Sequence, residues 1–348
     1  MTENRFKITS EISESIIKIA KGLDADGVFI LTDINTRALC LPLLDLKELN
    51  PYVIEIEPGD ENKNIIVLQH LWDTLIEQGA TRHSLLINIG GGVVCDIGGF
   101  AAATLKRGMP FINVPTTLLA AADATIGGKT GINYRGYKNE IGVFAEPNRV
   151  LIDCKFFETL SLENRLSGFA EIIKHSLISD SLIHEQTLGF DIEKFDLKKV
   201  SRMLQQSLEM KQSLVELDPT ERGKRRTLNL GHTLGHAFET LSYKVGSPLL
   251  HGYAVIWGLV GELYLSAIKL KLNKEVVTSL LYFAKNNYGA FPFTCNQYEE
   301  IYELLKHDKK NKKGVINFTL LAGVGDVRIN QTATKEEIFE TLDFIREN

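Results

Sequence analysis

The chain has 348 residues, 44% of them hydrophobic and 24% charged, with 28 glycines and nine prolines, which is enough for two domains with sizeable cores. A formal net charge of −5 excludes the basic excess of a nucleic-acid or membrane-surface binder, and leaves two basic clusters, Arg222–Arg226 and Lys306–Lys313, as either solvated surface or an anionic small-molecule site. Cys40, Cys95, Cys154 and Cys295 are widely spaced with no CxxC pair, which argues against a disulfide framework or a cysteine zinc site and fits a reducing cytoplasm.

Glu3, Arg5 and Lys7 have no apolar run behind them, so no signal peptide is expected and the protein is read as cytoplasmic. A helix near Ile12–Lys21 opens an alternation of short apolar runs and amphipathic stretches. Val28–Leu31, Tyr52–Ile56, Leu85–Ile89, Phe111–Val114 and Val150–Ile152 read as strands, with Ile65–Gln78 and Ile97–Leu105 as helices between them. That alternation implies an α/β domain with a largely parallel sheet, which binds ligands beyond the carboxyl ends of its strands. Leu85–Ile89 runs into Gly90-Gly91-Gly92-Val93-Val94-Cys95-Asp96. A strand, a glycine turn and a helix start can cradle phosphate with backbone N–H groups and the helix dipole. Cys95 stands where a dinucleotide fingerprint has its third glycine, and a glycine turn alone is equally a tight connection. Asp33 after the first strand and Gly59-Asp60-x-x-Lys63 after the second make a dinucleotide site the fuller reading.

Lys106-Arg107-Gly108 reads as an exposed turn. Pro115 then ends a strand, and Thr116 is placed to cap the helix that follows. The stretch continues through Thr117 and Asp123 to a second glycine-rich turn, Gly127-Gly128-Lys129-Thr130, with Gly136, Lys138 and Asn139 close behind. Gly-Gly-Lys-Thr resembles part of a Walker loop, but the upstream spacing is wrong and an ATP site is not supported.

After about Asp153 the strand signal fades and long helical patterns take over. Ser161–Asn164 looks like a helix start. Glu171 and Lys174 stand three apart on one helix face, either a surface ion pair or the carboxylate of a metal site. His232 and His236 stand four apart, Ala237, Phe238 and Leu241 continue an apolar periodicity, and Gly231 and Gly235 permit close approach of another backbone. His251 precedes a second apolar helix, Ala254–Leu270, which Glu262 and Lys269 interrupt and which falls short of a membrane span. Three of the eight histidines near two helix starts suggest zinc with a carboxylate from elsewhere, although ordinary polar or core-edge histidines share the spacing. Val315–Leu321 and Val327–Ile329 read as a closing hairpin, with a final helix from Glu336.

The run Arg225-x-x-x-Asn229-x-Gly231-His232-x-x-Gly235-His236, followed by Leu250-His251-Gly252, resembles the C-terminal signature of the 3-dehydroquinate synthase family, sugar phosphate cyclases of the shikimate pathway. Gly90–Asp96 resembles the family's NAD pyrophosphate loop, Arg107–Asn139 is similar throughout, and Gly168-x-Ala170-Glu171-x-Ile173-Lys174 matches its GxAExIK run. The resemblance implies a Rossmann-like α/β NAD-binding domain over 1–155 and a mostly α-helical metal- and substrate-binding domain over 156–348. It implies NAD contacts at Asp33, Asp60, Lys63, Gly91, Gly92, Asp96, Thr116, Thr117, Lys138 and Thr159, and zinc (or cobalt) ligands at Glu171, His232 and His251. That ligand set replaces the His232–His236 pair that helical spacing favours. Substrate contacts are implied at Arg107, Asp123, Lys129, Asn139, Lys174, Lys211, Arg225, Asn229 and His236, and at one of Lys309 and Lys310. Arg107 is expected to reach a neighbouring subunit, which makes a homodimer. Two positions depart from the family: Asp60 stands for the commoner glutamate, and Tyr253 follows His251-Gly252 in place of a glutamate.

The implied reaction turns 3-deoxy-D-arabino-heptulosonate 7-phosphate into 3-dehydroquinate and phosphate, by transient oxidation at C5, elimination, return of the hydride, ring opening and aldol closure. Three alternatives stand beside it: a related cyclase such as 2-deoxy-scyllo-inosose synthase, whose substrate has no carboxylate for Arg225 and Lys211; a metal-dependent alcohol dehydrogenase; and a binding protein with structural zinc and dinucleotide.

Overall fold

Short runs rich in Val and Ile, bounded by glycine, proline and acidic residues, form the six-stranded sheet of a first unit, Met1–Ser161 with Asp196–Leu208. The structure is a computed structural model that describes residues 5–135, 137–306 and 315–348. In chain order the first unit contains β1 (Phe6–Ile8), α1 (Ile12–Gly22), β2 (Val28–Asp33), α2 (Ile34–Leu39), β3 (Tyr52–Ile56), α3 (Ile65–Glu77), β4 (Leu85–Gly90), α4 (Gly92–Thr104), β5 (Phe111–Pro115), β6 (Lys129–Tyr134), β7 (Tyr137–Phe144) and β8 (Arg149–Ile152). The strand order is β1-β8-β5-β4-β2-β3, all neighbours parallel. β4 is buried at every residue, which is why Leu85–Ile89 lacks the alternation of a half-exposed strand. α3 is capped by Asn64, whose side chain accepts from the N–H groups of Ile66 and Val67, and it buries Leu68, Leu71 and Leu75 at helical spacing in the core with Leu31, Ile54 and Ile97.

The order of the strands matters for the site. The chain passes from β2 to its neighbour β3, then returns to the other side of β2 to lay down β4. Open α/β sheets bind ligands at such a reversal, beyond the carboxyl ends of β2 and β4, where Asp33 and the glycine turn sit. Three local expectations are corrected. α4 begins at Gly92, not Ile97, so the glycine turn leads directly into its first turn. Thr117, not Thr116, caps the next helical segment, accepting the N–H of Ala120 at 3.1 Å ahead of a π-helical turn over Ala120–Ala124. Lys129 opens an antiparallel hairpin, β6–β7, where only a turn was expected. The edge strand β1, parallel to β8, was not foreseen either.

The second unit, Leu162–Phe195 with Glu209–Asn348, holds α5 (Leu162–Ser179), α6 (Ser181–Leu188), the last part of α7 (Leu197–Leu217), α8 (His232–Lys244), α9 (His251–Leu270), α10 (Lys274–Tyr288), α11 (Tyr298–Lys306), the hairpin β9 (Phe318–Gly323) and β10 (Asp326–Gln331), and α12 (Lys335–Glu347). α9 is its axis, packed on α5, α8, α10, α12 and β9. It is long and apolar enough to cross a membrane, contrary to the sequence expectation, but 67% of that stretch is buried in the fold, as a core helix is. Glycines let α8 and α9 approach to backbone contact: a Cβ on Gly258 would lie 2.0 Å from Gly231 O, and one on Gly235 would lie 3.2 Å from Ala254 O. Gly136, Lys309, Lys310 and most of the Lys306–Lys313 cluster lie outside the described residues.

Candidate active site

In the first unit the glycine turn is required by space. A Cβ on Gly90 would lie 2.5 Å from Val94 Cβ, and one on Gly91 would lie 3.2 Å from Thr117 Cγ2. Cys95, at the third fingerprint position, is buried, and its thiol is pushed well up by burial, so it is packing rather than a nucleophile. Asp33 ends β2 and caps α2, its Oδ1 accepting the Thr36 N–H at 2.7 Å. Thr116 is buried and Thr117 half-buried beyond β5, with Asp123 half-buried in the π-helical turn.

A polar cluster ties the hairpin to this end of the sheet. Lys63 is only 4% exposed and is paired with Asp96 in the first turns of α4. Lys63 Nζ also donates to Asn139 Oδ1 on β7 at 2.5 Å. Asn133 Nδ2 donates to Asp60 Oδ2 at 3.1 Å, Lys138 Nζ lies 3.4 Å from the same oxygen, and the Asn139 N–H donates to Asn133 Oδ1 at 2.9 Å. Burial raises the Asp96 carboxyl, Lys63 pulls it back, and Asp123 and Asp60 add to the rise. Gly91, Gly92, Asp96, Asp60, Lys63, Lys138 and Asn139 thus belong to one neighbourhood of this unit. Lys129 is exposed at the start of β6. Thr159 is exposed in the turn after β8, its hydroxyl donating to Phe156 O at 3.0 Å. Arg107 is exposed within three successive left-handed residues, Lys106 (φ 50°), Arg107 (φ 67°) and Gly108 (φ 113°), a conformation unfavourable for the two that carry side chains.

In the second unit Glu171 and Lys174 form an ion pair with 0% and 1% side-chain exposure, which corrects the surface-pair reading. His232 and His251 are the first residues of α8 and α9. Their Nε2 atoms lie 3.6 and 3.5 Å from Glu171 Oε1, and one ligand atom from each of the three side chains falls within 4.8 Å of the others. Both rings are held from behind. His232 Nδ1 is 3.1 Å from Leu230 O and His251 Nδ1 is 3.3 Å from Glu239 Oε2, so each Nδ1 is engaged on the outer side and each Nε2 faces the carboxylate. One carboxylate and two imidazoles so arranged fit a divalent transition metal with open positions. His236 stands beside this group, its ring 5.3 Å from His232 and 6.3 Å from His251, edge-on to the former.

The two imidazoles differ in proton affinity. Burial, and then Lys174, holds His232 well below its ordinary pKa, with Glu171 opposing. Burial also pulls on His251, but hydrogen bonds to Glu171 and Glu239 outweigh it and raise the pKa to about 10. The remaining cations are at the end of α7 and in the turn before α8. Lys211 and Arg225 are 3% and 2% exposed. Arg225 Nη1 donates to Pro219 O at 2.8 Å, and Asn229 Nδ2 donates to Glu221 Oε1 at 3.1 Å. Tyr253, after His251-Gly252, packs its ring edge-on against Tyr288 at 5.0 Å.

Sequence reasoning missed Asn133, Glu239 and Glu262. Glu239 had a signal, since it follows His232 by seven positions and so shares its helix face. Glu262 showed in the sequence only as an acid interrupting an apolar helix, and its partners, like Asn133, are found only by tertiary contact.

Two family models match the chain, that of 3-dehydroquinate synthase N-terminal over residues 53–167 and that of 3-dehydroquinate synthase C-terminal over 168–311. A curated 3-dehydroquinate synthase of Parabacteroides distasonis is 47% identical over 350 residues, covering 100% of this chain and 99% of the relative. Among solved structures, 2-epi-5-epi-valiolone synthase from Streptomyces hygroscopicus, with NAD+ and Zn2+ bound, aligns at TM-score 0.85 and 23% identity over 100% of this chain and 98% of that one. 2-Deoxy-scyllo-inosose synthase complexed with carbaglucose-6-phosphate, NAD+ and Co2+ aligns at TM-score 0.83 and 23% identity, covering 99% and 96%. At that identity the two structures speak for the fold alone.

Proposed function

Starting from the fact that the chain belongs to the 3-dehydroquinate synthase family, we propose how its side chains divide the work of that activity. The enzyme is a 3-dehydroquinate synthase, a lyase that releases phosphate from a seven-carbon sugar acid phosphate and closes a carbocycle. The first unit holds NAD, with Gly91 and Gly92 at the pyrophosphate, Asp33 and Asp60 at the adenosine end, Thr116 and Thr117 on the nicotinamide side, and Lys63, Asp96, Lys138 and Thr159 completing the contacts. In the second unit Glu171, His232 and His251 hold one divalent metal, zinc in the first instance. When bound, NAD supplies a hydride acceptor that becomes the donor again within one turnover, and the metal supplies a Lewis acid for the C5 oxygen.

The chain's own side chains bind and orient. Arg225 presents a planar fork suited to a carboxylate, and Lys211 and Lys174 add buried positive charge for an anionic substrate. Asn229, Asn139, Asp123 and Lys129 are further polar contacts. His236 is assigned to the phosphate end of the substrate, and Arg107 to the same end from a neighbouring subunit of a homodimer. Asp60 keeps a carboxylate at its position despite its shorter reach, with Asn133 holding it from the hairpin.

The observation that carries the metal assignment is the pair of Nε2 atoms converging on Glu171 Oε1 with both Nδ1 atoms engaged. The wild type is expected to bind one zinc per chain, and chelation to abolish activity that zinc or cobalt restores. His251→Ala is expected to lose both metal and turnover. Stoichiometric metal with normal turnover in that variant would overturn the ligand set.

A further inference from the structure

One buried acid of the second unit has no part in the binding roles above. Glu262 is 0% exposed in the middle of α9, among Ile256, Leu259, Val260 and Leu263, where a carboxylate is strongly disfavoured unless its oxygens are met. They are met by α8. Glu262 Oε2 accepts the Gly231 N–H at 2.6 Å, and Oε1 accepts the N–H groups of Thr233 and Leu234 at 2.9 and 3.1 Å. No side chain of α8 caps its own N-terminus, because the N-cap is Gly231 in the left-handed conformation (φ 79°). The acid of one helix therefore closes the first turn of the other, with its charge at the positive end of the α8 dipole.

The three bonded residues bracket His232 on both sides. The same glycine turn aims Leu230 O at His232 Nδ1, the contact that leaves Nε2 facing Glu171. Further along, α8 runs antiparallel to α9: Gly231 meets Leu259, Gly235 meets Ala254 and Val255, and Glu239 reaches His251. The contact residues on α8 are four apart, so the register of the two helices sets both histidines together. Glu262 fixes that register at one end.

We propose that Glu262 is a positioning residue for the metal centre, holding the Leu230–Leu234 turn so that His232 presents Nε2 to the metal. The inference rests on the reading of Glu171, His232 and His251 as ligands. Glu262→Gln is nearly isosteric but cannot replace the carboxylate. With its amide nitrogen toward Gly231 it sets donor against donor, and with the amide reversed it abandons Thr233 and Leu234.

The test is zinc affinity by chelator competition on folded protein, together with the visible absorption of the cobalt form. Glu262→Gln is expected to bind zinc about 10- to 100-fold more weakly than wild type, with an altered cobalt spectrum. Ser266→Ala removes a buried hydroxyl one turn on, which donates to Glu262 O at 2.6 Å and accepts the Leu321 N–H at 3.0 Å. It weakens the same helix without touching the α8 turn, and its zinc affinity is expected to stay within about twofold of wild type. Wild-type affinity and spectrum in Glu262→Gln would overturn the proposal even if its unfolding midpoint fell, and so would an equal loss in Ser266→Ala. If Glu262→Gln does not fold, Glu262→Asp, which keeps the charge and withdraws it by one methylene, is measured in its place with the same two outcomes. His251→Ala separates the premises: a metal-binding wild type with a metal-free His251→Ala upholds the ligand reading whatever Glu262→Gln does, while a wild type that binds no metal overturns both.

Discussion

Ionisable side chains inside this protein are distinguished by what faces them, and His184 shows this away from the active site. Ser176 gives its hydroxyl hydrogen to Ile173 O at 2.7 Å, so at 3.0 Å it accepts from His184 Nδ1 and the ring is the neutral Nδ1–H tautomer. The residue is 4% exposed, and burial lowers its pKa from 6.5 to about 4. Between those two values the unfolded chain takes up a proton that the folded ring refuses. Stability is therefore full above pH 6.5, falls as pH drops toward 4, and levels off below. A shift of this size corresponds to about 3 kcal/mol. Denaturant midpoints of wild type and His184→Gln, compared from pH 7 to 4.5, should converge as the pH falls; parallel curves would mean that folding does not shift the His184 pKa. Such behaviour was not legible in the sequence, where no local pattern singles out His184. The metal candidates were legible only in part. His232 and His236 announce a site by spacing, but His251 and Glu171 join it from other helices, and spacing along α8 favours His236 as the partner.

Among the elements, the α8–α9 pair is set by glycines whose need for space can be measured. Alanine in place of Gly258 would gain about 1 kcal/mol of helix propensity. Its Cβ would stand 2.0 Å from Gly231 O and 2.6 Å from Gly235 N, backbone atoms that cannot rotate away. Overpacking wins, and Gly258→Ala is expected to destabilise by about 2 kcal/mol or more and to weaken metal binding as α8 is pushed off. Gly22, at the end of α1, has nothing within 4 Å of the place a Cβ would occupy, so Gly22→Ala is expected to be neutral or stabilising by up to about 1 kcal/mol. Equal losses in the two variants, by denaturant midpoint, would refute the close-crossing argument. The parallel strands other than β1 were legible because continuous apolar runs between glycine and acidic turns leave little else for them to be. The β6–β7 hairpin was not. Its strands are polar and glycine-rich, β7 is exposed along its whole length, and Gly127-Gly128 draws the eye as a turn. What holds the hairpin is tertiary: Lys63 to Asn139 and Asp60 to Asn133.

For the whole molecule, alternating strands and helices followed by mostly helices gave the fold class, and several motifs in the right order gave the family, which the relative at 47% identity upholds. Assembly is a separate matter. Arg107 is exposed and held in an unfavourable backbone conformation, which suits a side chain presented to another subunit. Mixing Arg107→Ala subunits with Lys174→Ala subunits and allowing exchange should restore activity if the site is shared as proposed, because each mixed dimer would then contain one site with both residues intact. No recovery despite demonstrated exchange would place Arg107 in its own subunit's site or in none.

Oxidation at C5 is transient, serving to acidify the neighbouring C–H so that phosphate can leave. Substrate and product then stand at the same oxidation level, which a dehydrogenase on the same fold does not share. The decisive measurement supplies 3-deoxy-D-arabino-heptulosonate 7-phosphate deuterated at C5 with NAD+ well below the substrate concentration, and follows phosphate, NADH and the isotope together. One phosphate per substrate consumed, many turnovers per NAD+, no net NADH, and deuterium retained at the corresponding carbon of 3-dehydroquinate are expected. NADH accumulating in step with product, with the deuterium carried into it, would contradict the claim.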